Sequence, residues 1–221
     1  GNFTRDDVLR IILEQLAASR QLVSKLYRWL ISETEQPGDA LIEPLAESFA
    51  KDYDVSKLVE TMLRSNLFFS SAAYRRRIKC PSEFAVGIVK ALEGTVSTTQ
   101  LANDLTDLGQ NLYNPPTAKG WAGGRHWIDS AAMVARHNLA SVLLRGSGPY
   151  GDKLNPWAVA QKHGCSTPDS ARRFLFDLFL QGDLGSGTYS RLIESDKDGD
   201  LDERIRSFAH EAVTLAEFHL A

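Results

Sequence analysis

Cysteine, an excess of one charge sign and long apolar runs are all scarce in this chain, and each scarcity removes a class of protein. Among its 221 residues are two cysteines, Cys80 and Cys165, neither in a CxxC or Cys/His spacing. That excludes a zinc motif and a disulfide framework, leaving open only one bridge between the two. Lys and Arg number 25 against 28 Asp and Glu, a formal net charge of −3, so no global field recruits nucleic acid or an anionic membrane. No apolar run approaches the roughly 20 residues that span a bilayer, and the opening "GNFTRDDV" lacks the basic-then-apolar pattern of a signal peptide. Strict apolar/polar alternation between hairpin turns is missing, as are internal repeats and low-complexity tracts. The chain does not start with methionine; further sequence upstream of Gly1, carrying any targeting signal, is therefore expected.

What remains is helical periodicity almost throughout, in a composition that is 43% hydrophobic, enough to bury a core. The expected fold is all-α, an irregular multi-helix bundle of roughly ten helices interrupted by a long loop rich in Pro, Gly and Trp. Thr4 ahead of Asp6 and Asp7 is an N-terminal helix signature, and Val8, Ile11, Ile12 and Leu16 make one stripe. Leu22, Val23, Leu26, Trp29 and Leu30 make the stripe of a second helix expected to pack on the first. Pro44 sits near a first turn or kinks a helix, Asp54 and Asp129 cap, Pro81 opens a helix, and Gly94 closes it. The Gly, Ser and Pro content of "RGSGPYGDKLNP", residues 145–156, makes it the best internal boundary. It divides a helical core, residues 1–146, from a C-terminal helical segment, residues 147–221, expected to pack on the same core.

Several stretches together resemble a bacterial family known only as a domain of unknown function, number 1800. They are "SRQLVSKLYRWLIS" (19–32), "LVETMLRSNLFF" (58–69), "RRIKCPSEFAVGIVKAL" (76–92), "LGQNLYNPPTAKGWAGGRHWIDSAAMVARHNLA" (108–140) and "TLAEFHLA" (214–221). The matches resemble the C-terminal half of the family, its usual N-terminal half being absent here. Ala216 stands where the family typically has a proline. The resemblance implies an exported or cell-envelope bacterial protein, commonly encoded beside a sulfatase-like family, and supplies no catalytic residues.

Within the fourth stretch, "NPPTAKGWAGGRHW" packs two prolines, three glycines and two tryptophans into residues 114–127. In one reading this is a compact corner: Gln110 and Asn114 bond turn backbone, the glycines permit positive φ, and Trp121 and Trp127 plug the gap between helices. In the other, the indoles with Lys119, Arg125 and His126 stack a sugar or hold an anion, and Arg136 and His137 on the next helix contribute. His137 has no carboxylate at helical spacing to make it a base.

A second candidate is "ESDKDGDLDE", where Asp196, Asp198, Asp200 and Asp202 alternate around Gly199. Oxygen-rich alternation suits Ca²⁺, so calcium is the one cofactor considered, but neither register completes a calcium loop. Starting at Asp196 puts Leu201 sixth and Ser207 twelfth; placing Gly199 sixth puts Ile205 twelfth. The competing reading is a solvated loop in which Asp200 or Asp202 caps the following helix. The basic run Arg75, Arg76, Arg77 and Lys79 comes without a nucleic-acid recognition motif. "GSGPYG" and "GDLGSG" lack the lysine-serine pair of a phosphate loop, and no GxSxG elbow is present. The expectation is a non-catalytic binding domain that contacts a protein or a polysaccharide. The alternative is part of an enzyme acting on carbohydrate or sulfated polymer and completed by the upstream half.

Overall fold

The computed structural model describes residues 2–151, 153–194 and 199–221. Eleven α-helices, two 3₁₀ turns and no strand occur among the described residues, so the chain is all-α. It divides into two compact units, residues 1–77 with Ala221, and residues 78–220.

The first unit holds α1 (Arg5–Leu13), α2 (Leu16–Leu30), α3 (Asp39–Phe49) and α4 (Val55–Leu63). Thr4 caps α1 reciprocally with Asp7, as its sequence signature indicates. Yet α1 buries no residue, and Val8 and Ile12 are about half exposed. It touches α2 across a two-residue turn without contributing a buried residue to the core. The seam of α2 runs through Ser19, Val23 and Tyr27, leaving Leu22 and Trp29 on the exposed side. Against that seam pack Ile42, Ala46 and Phe49 of α3 and Leu58 and Met62 of α4. Arg20 of α2 reaches Glu43 of α3 at 2.7 Å. Asp54 caps α4 through the Lys57 amide. Pro44 lies within α3; having no N–H, it leaves the Ala40 carbonyl without its helical donor.

The second unit contains α5 (Pro81–Ala91), α6 (Thr98–Asp107), α7 (Ser130–Leu144), α8 (Pro156–Lys162), α9 (Pro168–Leu180), α10 (Ser186–Glu194) and α11 (Leu201–Thr214). Helix α11 packs against α7, α8 and α9 and buries Ile205, Phe208, Ala209, Ala212 and Val213. Phe84, Phe176, Phe179 and Phe218 belong to the same core. An isolated antiparallel bridge joins Ile78 to Leu220.

The division at 77/78 differs from the boundary expected at 145–156, because three contacts pin that loop inside the second unit. Arg206 Nη1 donates to the Leu144 carbonyl at 2.9 Å and to the Leu154 carbonyl at 2.8 Å. The buried Tyr150 hydroxyl donates to the Asp104 carboxylate, and burial, with Asp104 beside it, pushes the phenol pKa upward. Gly94 provides the third contact, since a β-carbon there would lie 2.1 Å from Leu154 Cδ2. This glycine is thus required for close packing, and the left-handed position after α5 is taken by Glu93, with φ 51°.

Candidate functional site

The loop that joins α6 to α7 is fixed firmly at both roots. At its entrance Gly109 is left-handed, φ 86°; its amide reaches the Thr106 carbonyl, and the Gln110 amide reaches that of Leu105, both at 2.9 Å. These bonds satisfy carbonyls that the end of α6 would otherwise leave open. Gln110 is buried, and its Oε1 accepts the Ser82 amide at 2.8 Å, tying the entrance to the first turn of α5. At the exit Asp129 caps α7 through the Ala132 amide at 2.7 Å. Buried Arg136 donates through Nη2 to the carbonyls of Lys79, at 2.8 Å, and Trp127, at 3.5 Å.

Between the roots, every residue from 111 to 119 is exposed. Two small turns shape this crown. Asn114 bonds back to Asn111 with Tyr113 held at φ 62°, and Gly120 bonds back to Thr117, whose hydroxyl accepts the Lys119 amide. Tyr113 is 102% exposed, so it contributes nothing to packing. A 3₁₀ turn at Gly124–Trp127 follows, entered through Gly123 at φ 73°. Trp121 and Trp127 are both half-buried, while Lys119, Arg125 and His126 are exposed. The indoles are therefore part packing and part surface.

The seven loop and helix residues singled out in the sequence lie in three environments. Lys119, Trp121, Arg125, His126 and Trp127 belong to the loop. Arg136 is 1% exposed, with its guanidinium over the Phe84 ring and Nη1 3.4 Å from His219 Nδ1. Burial pulls its pKa down, while Cys80 and Glu83 nearby hold it up. His137 faces a cleft of about 670 Å³ between α7 and α11, which it lines with Arg145, Asp200, Glu203 and His210. Its ring meets that of His210 edge to face at 4.4 Å, and the His210 Nε2 stands 3.2 Å from the His137 carbonyl. Neither the cleft nor the crown's Tyr113 stands out in the sequence: His210 becomes notable only once α11 lies against α7.

Of the four alternating aspartates, Asp196 and Asp198 lie outside the described residues. Asp200 caps α11 by accepting the Glu203 amide at 2.9 Å, and Asp202 pairs with Arg206 at 2.5 Å. Among the described residues no group of three or more His, Cys, Asp or Glu is placed to hold a metal ion. Replacing Asp200 by alanine should cost about 1 kcal/mol, the usual loss of a helix cap, read as an equal drop in denaturant stability with or without calcium. A loss several-fold larger in calcium than in chelator would mean that the carboxylate serves an ion.

The basic run is dispersed. Arg76 lies 3.8 Å from Glu35, Arg77 stacks over Trp29, and Lys79 donates to the Phe218 carbonyl. Both cysteines are free. Among the described residues no helix is long and apolar enough to cross a membrane.

A family model described as "Protein of unknown function (DUF1800)" matches residues 1–219. No curated protein and no solved structure matches the chain.

Proposed function

The chain belongs to the DUF1800 family of proteins of unknown function, and we propose that it serves there as a non-catalytic binding domain whose contact surface is the crown between α6 and α7. The observation that carries this reading is the contrast between root and crown. Gln110 and Arg136 are buried and hold backbone, whereas residues 111–119 are exposed and include a tyrosine with no packing role. Exposed loops on rigid scaffolds are where binding residues concentrate, and a tyrosine, with two side-chain torsions to fix, offers a large contact area at low entropic cost.

Tyr113, Trp121, Lys119, Arg125 and His126 combine ring faces with hydrogen-bond donors, a set suited to a polysaccharide or to a polar protein surface. A location at the cell envelope, where such partners occur, belongs to the same proposal and is supported by the family resemblance. The test is a glycan array followed by binding isotherms. Tyr113→Ala should leave stability within about 0.5 kcal/mol, as for other surface changes, and weaken a retained glycan by roughly ten-fold or more, equivalent to 1.4 kcal/mol. Retention that is indifferent to Tyr113→Ala, Lys119→Ala and Arg125→Ala would remove the crown from the interaction.

A further inference from the structure

The last 3₁₀ turn, Ala216–His219, ends on a buried imidazole whose Nδ1 stands 3.4 Å from Arg136 Nη1. A guanidinium has donors only, so Nδ1 accepts there, and the ring carries its single proton on Nε2. The ring also bonds to the backbone of Thr214 in α11. Around this contact α7 supplies Arg136 and, across a cavity, His137, while the segment leading into α5 supplies Lys79. Cys80 and Glu83 act on Arg136, and α9 meets the turn through the uncharged Phe179. Burial, then the charges of Arg136 and Lys79, keep the imidazole neutral well below its ordinary range.

A second proton, on Nδ1, would set two cations and two donors face to face. The turn itself is pinned: the Lys79 amide holds the His219 carbonyl at 2.9 Å, and the Phe218 ring meets both Phe84 and Phe179. The side chain has room beside it, a cavity of about 320 Å³ lined by Met133, Val134, His137, Thr214 and His219 itself. Val134 and His137 are exposed, which gives water a route to the ring. On the other side of the contact, Arg136 Nη1 is left without its acceptor. Of the two bonds from Nη2, that to the Trp127 carbonyl is 3.5 Å long and that to Lys79 is 2.8 Å, so the Trp127 bond is the weaker and yields first.

We propose that His219 and Arg136 form an acid-operated latch on the exit of the α6–α7 loop: a proton on Nδ1 turns the imidazole into the cavity, and the guanidinium releases the Trp127 carbonyl. With the crown as a contact surface, acid would also loosen its partner; that extension rests on the reading above, whereas the latch does not.

Native-state hydrogen exchange of the whole chain tests the latch at the Ile128 amide, which bonds to the Arg125 carbonyl at the loop exit. The released state holds one proton more than the latched one. Between about pH 6 and about pH 5, the opening constant of Ile128, corrected for intrinsic exchange, should therefore rise about ten-fold per pH unit. It should also exceed that of buried Ala209 in α11, a marker for opening of the whole unit. His219→Gln keeps a donor and an acceptor but takes no charge, and should flatten the slope. His137→Gln, at an exposed position on the same cavity, should leave it unchanged. Imidazole ¹⁵N signals of the parent give a readout that needs no variant: at neutral pH His219 should be the Nε2–H tautomer. An Nδ1–H tautomer, a flat Ile128 profile in the parent, or Ile128 opening no more often than Ala209 would each overturn the latch. A slope that survives in His219→Gln, or is lost in His137→Gln, would do the same.

Discussion

Arg136→Met is expected to lower folding stability by about 3–5 kcal/mol, the range seen when one member of a buried charged network is removed. The long apolar stem of methionine replaces much of the volume, so most of the loss comes from polar groups. The Lys79 and Trp127 carbonyls lose their donor, and a buried acceptor left unsatisfied costs about 1–3 kcal/mol. The cation over the Phe84 ring, 5.3 Å from its centroid, contributes further, about 0.5–2 kcal/mol in general. Arg136→Lys should rescue little, because one ammonium cannot reproduce a planar fork that serves separated acceptors. Urea denaturation reads the stability, and hydrogen exchange should show faster opening of amides around residues 79–82 and 127–130. A loss under about 1 kcal/mol, with exchange unchanged there, would show that the guanidinium does not hold the loop exit. Because the crown stands on that exit, the variant should also weaken any partner that Tyr113→Ala weakens.

Acid should remove a comparable amount of stability through one residue. His219 is 2% exposed, stacked on Phe84 with ring centroids 5.1 Å apart. Burial, then the charges of Arg136 and Lys79, hold its pKa down at about 4 against an ordinary 6.5, opposed by a bond to the Thr214 backbone. In the unfolded chain the imidazole takes up its proton first. The stabilisation is thus complete above pH 6.5, declines as the pH falls from 6.5 to 4, and is gone below 4. The difference between the two pKa values corresponds to about 3 kcal/mol. His219→Gln is never charged and should lack this component: between pH 7 and pH 4 the parent should lose about 3 kcal/mol more than the variant. The subtraction removes the carboxylates, such as Asp7 and Glu93, whose lowered pKa values also cost stability in acid. Equal losses in the two proteins would place the acid sensitivity elsewhere.

Local chemistry was readable from the sequence wherever the structure is decided locally. Thr4, Asp54 and Asp129 each cap the helix that their spacing indicates, because a cap engages residues only three positions away. The absence of strands among the described residues follows from periodicity in the same way. Helix α2 shows where this stops: the apolar residues 22–30 define a stripe, but whether Leu22 or Tyr27 turns inward depends on α3 and α4. The loop at 145–156 has the composition of a linker, yet it is held by Arg206, which bonds across 62 and 52 residues. Gly94 has the position of a helix stop and is needed instead for contact with Leu154. For the candidate sites the limit is the same. Composition marks residues 114–127 as a loop, but the exposure of Tyr113, the half-burial of the indoles and the commitment of Arg136 to backbone arise from packing. His137 and His210 meet across 73 residues, a pairing no local pattern contains.

The bridge between Ile78 and Leu220, with the Lys79 contact to Phe218 beside it, has a consequence for how the polypeptide acquires its shape during synthesis. Lys79 and Phe218 are 139 residues apart, and translation at about 5–20 residues per second separates their emergence from the ribosome by on the order of ten seconds. Over that interval Phe84 has neither the Phe218 ring that meets it edge-on nor the His219 ring that stacks on it. The first four helices can close on themselves much earlier, since their apolar partners lie within residues 23–62. The nascent second unit is thus the stage at which a holding chaperone would find exposed apolar surface, and a ribosome stalled before residue 215 would carry that surface indefinitely.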